Sequence, residues 1–216
     1  MKGTLTHTTA RHLAALLVAC TAGCTYEVAD YPSQAILYDQ PEPEISANHR
    51  NYDGFVLAIP GGGAFTAQVN DGGILGRDQV LGNQVNVGRY TDGDDRALRG
   101  EAFGQWLDLK VEKGRVHGIL DGMIPLDVRA TREDGALRIR GVVRGYQADF
   151  RVADDRLVGT LGRCSYDLTS HGSPSYEGLA SCPGGRQKVM VKIPGELSRW
   201  SDAEQGAALG LLLGGS

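Results

Sequence analysis

The sequence predicts an all-β fold: an antiparallel meander of hairpins, closed into an up-and-down barrel or curled into a strongly coiled sheet, with one C-terminal helix. Three observations predict it. The first is a unit that recurs about every twenty residues: Leu107-Asp108-Leu109-Lys110-Val111, Leu126-Asp127-Val128-Arg129-Ala130, Ala148-Asp149-Phe150-Arg151-Val152, and more loosely Tyr166-Asp167-Leu168-Thr169-Ser170. Val85-Asn86-Val87 is a variant copy with Asn for Asp. Repetition at that period means one supersecondary element stacked several times. The second is alternation of apolar and polar residues within each copy, which makes the element a strand with one dry and one wet face. The third is the turn chemistry. Gly82, Gly104, Gly122, Gly145 and Gly162 precede the copies, and Glu112-Lys113-Gly114, Glu133-Asp134-Gly135 and Ala153-Asp154-Asp155 follow strands. Such residues accept the positive φ that tight hairpins demand.

Residues 1–23 read as a secretory signal: Lys2 and Arg11 are the basic residues and Leu13 to Ala19 is an unbroken apolar run, too short to span a bilayer. Leu17-Val18-Ala19-Cys20 and Thr21-Ala22-Gly23-Cys24 each resemble a lipobox, so this segment resembles the signal peptides of bacterial lipoproteins. The resemblance covers residues 1–24. It implies cleavage before one cysteine, acylation of that cysteine, and a membrane anchor. A Thr follows either cysteine, where this family's inner-membrane members tend to carry Asp, and that implies the outer membrane of a Gram-negative host. Cys24 is preferred over Cys20 because cleavage there leaves Cys164 and Cys182 as an even pair for an oxidising compartment.

Residues 24–50 contain Pro32, Pro41 and Pro43 without periodicity and read as an extended tether, with Ala35-Ile36-Leu37-Tyr38 as a possible added strand. The hairpin domain is assigned to residues 51–200. Phe55, Leu57 and Ile59 alternate, Gly61-Gly62-Gly63 turns the chain, and Phe65, Ala67 and Val69 alternate again. Similar pairs continue to Ile193, enough for about fourteen short strands. Leu107, Leu109, Val111, Leu126, Val128, Leu137, Ile139, Phe150 and Val152 form the inward face. So long a sheet must close, coil or split to protect its edges. Gly100, Gly118, Gly141 and Gly159 recur where a missing side chain lets it bend, which favours closure over a β-sandwich.

Cys164 and Cys182 share the inward parity and are expected to form a structural disulfide. Residues 201–216 are expected to be helical. Ser201 and Glu204 make a capping box, and Ala203, Ala207, Ala208, Leu211 and Leu212 make an apolar stripe suited to covering a barrel end or sheet edge.

Composition narrows function. Removing residues 1–23 takes away Lys2 and Arg11 and no acid, moving the net charge from −4 to −6, a balance unsuited to nucleic acid. The candidate chemical constellations are thin. Asp108, Asp127, Asp149 and Asp167 form a row, but Lys110, Arg129 and Arg151 follow three of them two positions later, the pattern of a self-neutralising solvated face. Thr91-Asp92-Gly93-Asp94-Asp95 lacks the ligand spacing of an EF-hand. His117 and His171 have no HxxxH or HxH partner for zinc. Ser165, Ser173 and Ser175 lie near His171 without a G-x-S-x-G elbow. Gly61-Gly62-Gly63 leads into a strand and so cradles no phosphate.

No catalytic residue, metal site or cofactor is assigned. The expected function is that of a membrane-anchored envelope lipoprotein whose non-catalytic β-domain acts through contacts with other envelope proteins. The alternative is a carrier of a small hydrophobic ligand within the barrel, as in lipocalins. A cavity above roughly 300 Å³ favours the carrier and a packed interior favours the contact protein.

Overall fold

The computed structural model describes residues 44–78, 82–92, 95–170 and 174–214. Cys20, Cys24, the 35–38 segment and His171 lie outside the described residues.

Fourteen antiparallel strands follow one another around a closed barrel in sequence order, each pairing with its chain neighbour, and β1 closing on β14. They are β1 (Phe55–Ala58), β2 (Ala64–Asn70), β3 (Gly73–Asp78), β4 (Gln84–Asp92), β5 (Asp95–Ala102), β6 (Gln105–Glu112) and β7 (Arg115–Leu120). The second half is β8 (Ile124–Glu133), β9 (Ala136–Val143), β10 (Tyr146–Val152), β11 (Arg156–Leu161), β12 (Cys164–Ser170), β13 (Ser175–Cys182) and β14 (Gly185–Lys192). The up-and-down barrel is therefore the fold. Closure satisfies every edge that an open meander would expose.

The recurrent unit has a structural reason that its side chains conceal. A Cβ placed on Gly118, Gly141 or Gly159 would lie 2.3, 2.0 or 2.1 Å from the backbone oxygen of Asp108, Asp127 or Asp149 respectively. Each glycine thus lets the sheet press against the preceding copy's Asp carbonyl, which is how the wall curves at every repeat. At the hairpin after β9, Arg144 and Gly145 both take positive φ (53° and 80°), the two-residue geometry that matches strand twist.

A barrel of fourteen strands is too wide for its own side chains to fill. Helix α2 (Asp202–Gly214) supplies the filling. Ala203 through Leu213 are all buried, so the helix runs inside the barrel and not over its end or edge. The expectation of a one-sided stripe is corrected accordingly: Leu209 and Leu213, outside the stripe, are as buried as Leu211 and Leu212. An all-apolar surround demands an all-round apolar helix. Gly206 and Gly210 serve this placement, since a Cβ there would meet Ala130 at 2.7 Å and Val143 at 3.0 Å.

The end of the expected tether is also corrected. Ala47–Asn51 form a short helix, α1, capped by the Ser46 hydroxyl, so these residues are not extended. They lie on the outer wall: Ile45 and Tyr52 join Val56, Ala58, Ala64 and Met190 in a second apolar cluster, and Lys192 donates to the Arg50 and Tyr52 carbonyls. This explains why β1 is buried on both faces.

Candidate functional site

The two ends of the barrel are built differently. At one, the capped end, lie the turns after the even-numbered strands and the entry of α2. A 3₁₀ turn, Gly195–Arg199, follows β14, and Trp200 closes over the lumen with its indole N–H donating to the Asn70 carbonyl at 3.2 Å. The expected capping box is formed. Ser201 N–H and hydroxyl both donate to Glu204 Oε2, at 2.9 and 2.7 Å. Arg89 reaches in from β4, donating to Glu204 at 3.1 Å and stacking 4.5 Å over the Trp200 ring. Burial alone would push the Glu204 carboxyl up, but the Ser201 hydroxyl and amide and the Arg89 guanidinium outweigh it and hold the carboxyl below its usual range. Gln205 donates to the Trp200 carbonyl at 2.7 Å and accepts from Arg132, which also pairs with Asp202. Every polar group that enters the lumen with the helix is thus satisfied at this end.

The opposite, open end has the turns after the odd-numbered strands. Here α2 finishes, and the Tyr166 hydroxyl donates to the Leu213 carbonyl at 2.7 Å. The helix leans on β6–β9 and β11. On the side of β1–β3 and β12–β14 lies a cavity of about 480 Å³, opening at this end. Leu57, Phe65, Phe103, Tyr166, Ala180 and Val189 line its apolar interior. Asp78, Asn83 and Gln187 are the polar members of its lining, and Ile59, Gly63, Ala64, Cys182, Pro183 and Gly184 complete it. Phe65 packs against Phe103 with ring centroids 5.2 Å apart, and Arg144 lies 5.3 Å over the Phe103 ring while donating to the Ala102 carbonyl. Arg144 thus crosses the mouth from the β9–β10 turn to the β5–β6 turn. Half-burial lowers its guanidinium pKa, against an opposing pull from Asp121. The Cys164–Cys182 disulfide is formed, joining β12 and β13 at this rim. The cavity therefore has a fixed wall, an apolar bed and a polar margin, the usual make-up of a small-molecule site.

In the sequence, Leu57, Ile59 and Phe65 stand out only as alternating strand residues and Gly63 only as a turn. The lining is gathered from strands more than a hundred residues apart, and no local pattern marks that convergence. Gly61-Gly62-Gly63 turns the chain between β1 and β2 with Gly63 in the cavity lining, and Cys182 lies in the same lining. The Asp row is on the outer wall and neutralised by cross-strand pairs, as the sequence predicts. Asp108, Asp127, Asp149 and Asp167 pair with Arg99, Arg115, Arg138 and Arg156 of the preceding strands at 2.6–2.9 Å. Lys110, Arg129 and Arg151 sit along the same strands as the aspartates, too close in sequence to face them across the ladder. A hydrogen bond from Arg115 holds the Asp127 carboxyl below its usual range, against a smaller opposing push from burial. His117 lies 3.2 Å from Glu112, and no group of three or more potential metal-ligating side chains occurs among the described residues. Thr91, Asp92 and Asp95 belong to the hairpin of β4 and β5, Ser165 to β12 and Ser175 to β13; Gly93, Asp94 and Ser173 lie outside the described residues.

Comparison of the chain with protein-family models, with curated proteins and with solved structures finds no match in any of the three.

Proposed function

We propose that this is an envelope protein, anchored in the outer membrane through an acylated Cys24 or Cys20, whose barrel is a non-catalytic carrier of a small apolar ligand. Of the two non-catalytic roles open to such a chain, the cavity favours carriage over protein contacts alone. At about 480 Å³ it falls within the range of small-molecule pockets. Its chemistry supports the same reading. Among the described lining residues Asp78 is the one carboxylate, the Tyr166 hydroxyl is engaged with Leu213, and Cys182 is disulfide-bonded. General acid–base work would call for a positioned titratable group matched by a second one, whereas an apolar bed with amide groups at the margin suits retention by burial.

The test is to fill the bed. Ala180 faces inward on β13 and lines the cavity, so Ala180→Phe occupies the space a ligand would take. Displacing even two methylenes of ligand costs about 1.6 kcal/mol, roughly fifteenfold in affinity. Native mass spectrometry of protein drawn gently from its membrane, with titration of an environment-sensitive apolar dye, reads the effect. The expected result is a retained small molecule in the parent chain, its loss in Ala180→Phe, and an unchanged melting temperature. Equal dye affinity in the two proteins, with no retained molecule, sinks the carrier reading.

A further inference from the structure

We infer that the shoulder of the open end formed by Trp106, Ile119, Met123 and Pro125 is a membrane-contact surface that seats in the interfacial layer of a bilayer. These residues point outward from β6, β7 and β8 and the turn between the last two. Trp106, Ile119 and Met123 are 68%, 50% and 84% exposed. Ile119 and Pro125 are directly opposed across β7 and β8, so the patch is continuous across the ladder. Trp106 is also held in place, its backbone N–H donating to Asp121 Oδ1 at 2.8 Å. The rest of this wall is written in Asp–Arg pairs. A contiguous exposed apolar patch of this kind marks an interaction surface.

Two observations select a lipid surface as the cover. First, the chemistry is that of a membrane interface: an indole flanked by aliphatic side chains, and farther along the same rim Arg163 stacked 5.5 Å over Tyr146, a cation whose stem packs on apolar surface while its head stays wet. Second, charge orients the barrel. The turns of the capped end carry exposed Asp71, Asp95, Glu133, Asp134, Asp154 and Asp155, which anionic headgroups repel. The inference rests on the anchored reading for the presence of the membrane, and the charge places the cavity mouth toward the lipid.

The chain has two tryptophans, Trp106 exposed and Trp200 buried, so Trp106 itself reports its surroundings. Protein purified from its native membrane is reconstituted into phosphatidylethanolamine–phosphatidylglycerol vesicles whose acyl chains carry bromine near the headgroup. The expected result is a blue shift and strong loss of Trp106 emission. Trp106→Phe should abolish both, and the paired Ile119→Asp, Met123→Asp variant should largely abolish both while its melting temperature stays that of the parent. Emission that is unquenched by brominated lipid and as open to aqueous acrylamide as in lipid-free protein overturns the inference. So does shielding of Trp106 by a co-purifying protein in place of lipid. Intact mass measured on the same sample shows whether the acyl group is present, so a failed anchor is told apart from a failed surface.

Discussion

The two ends of this barrel use the same strands and the same helix to opposite effect. At the capped end the polar residues of α2 enter the lumen, and each finds a partner within it: Glu204 with Ser201 and Arg89, Gln205 with Trp200 and Arg132. At the open end α2 brings leucines and glycine, one carbonyl is met by Tyr166, and the wall opposite the helix is left unfilled. The contrast teaches that a helix inside a wide barrel cannot touch the whole wall. Where polar groups enter, unmet hydrogen bonds are too costly to leave and the end is sealed. Where only apolar groups enter, an incomplete fit costs less and a cavity survives. The glycine-rich turns of the open end and the acidic turns of the capped end extend the same division to the surface.

The largest effect should come from breaking the seal. Glu204→Ala leaves Arg89 facing the lumen without its carboxylate, and loss of one partner of such a buried pair costs about 3–5 kcal/mol. Chemical denaturation of parent and variant reads it directly. The pH dependence has a definite sign. A carboxyl held below its usual value in the folded state stabilises the fold above that value and stops doing so as the pH falls through its folded one. Melting temperature should therefore decline in acid below about pH 4.3, and Glu204→Ala should flatten that decline. An unflattened profile would place the acid-sensitive group elsewhere.

The next largest belongs to the open end. Cys164→Ala releases a crosslink spanning 18 residues, worth about 3 kcal/mol on the chain-entropy model. If the disulfide staples the mouth, hydrogen exchange should accelerate in β12 and β13 beside the rim while the Trp200 region stays protected. Uniform acceleration at both ends would show that the ends are one cooperative unit and dissolve the contrast.

The smallest effect should fall on the wall that both ends share. Asp127 is exposed enough for water to screen its pair with Arg115, so Asp127→Asn should change stability by about 0–1 kcal/mol. What it does contribute is present above the ordinary Asp value and lost as the pH falls through the depressed one. A large loss of stability, or of divalent-cation binding, would make the Asp row a site after all.

Local chemistry wrote much of this molecule. Strand alternation, the positive-φ turn residues, the repeated Asp and glycine, the pairing of Cys164 with Cys182 and the Ser201–Glu204 cap are all properties of short stretches, and each was legible as such. The glycines at 118, 141 and 159 could be read as bends, though only the fold shows that each faces the preceding copy's Asp carbonyl. The position of α2 was half legible. From Gly206 to Gly214 the helix has no polar side chain, a pattern that fits burial on every side better than a single stripe. Whether the surrounding barrel was wide enough to admit it depended on how many strands closed the ring. The cavity was not legible at all. It lies between surfaces contributed by Leu57, Phe103 and Ala180, residues with no shared motif, brought together only by closure of the ring. Sequence determines which residues turn inward, because strand and helix periods are local. Only the closed structure decides how much space those residues leave, because volume is a property of the whole ring.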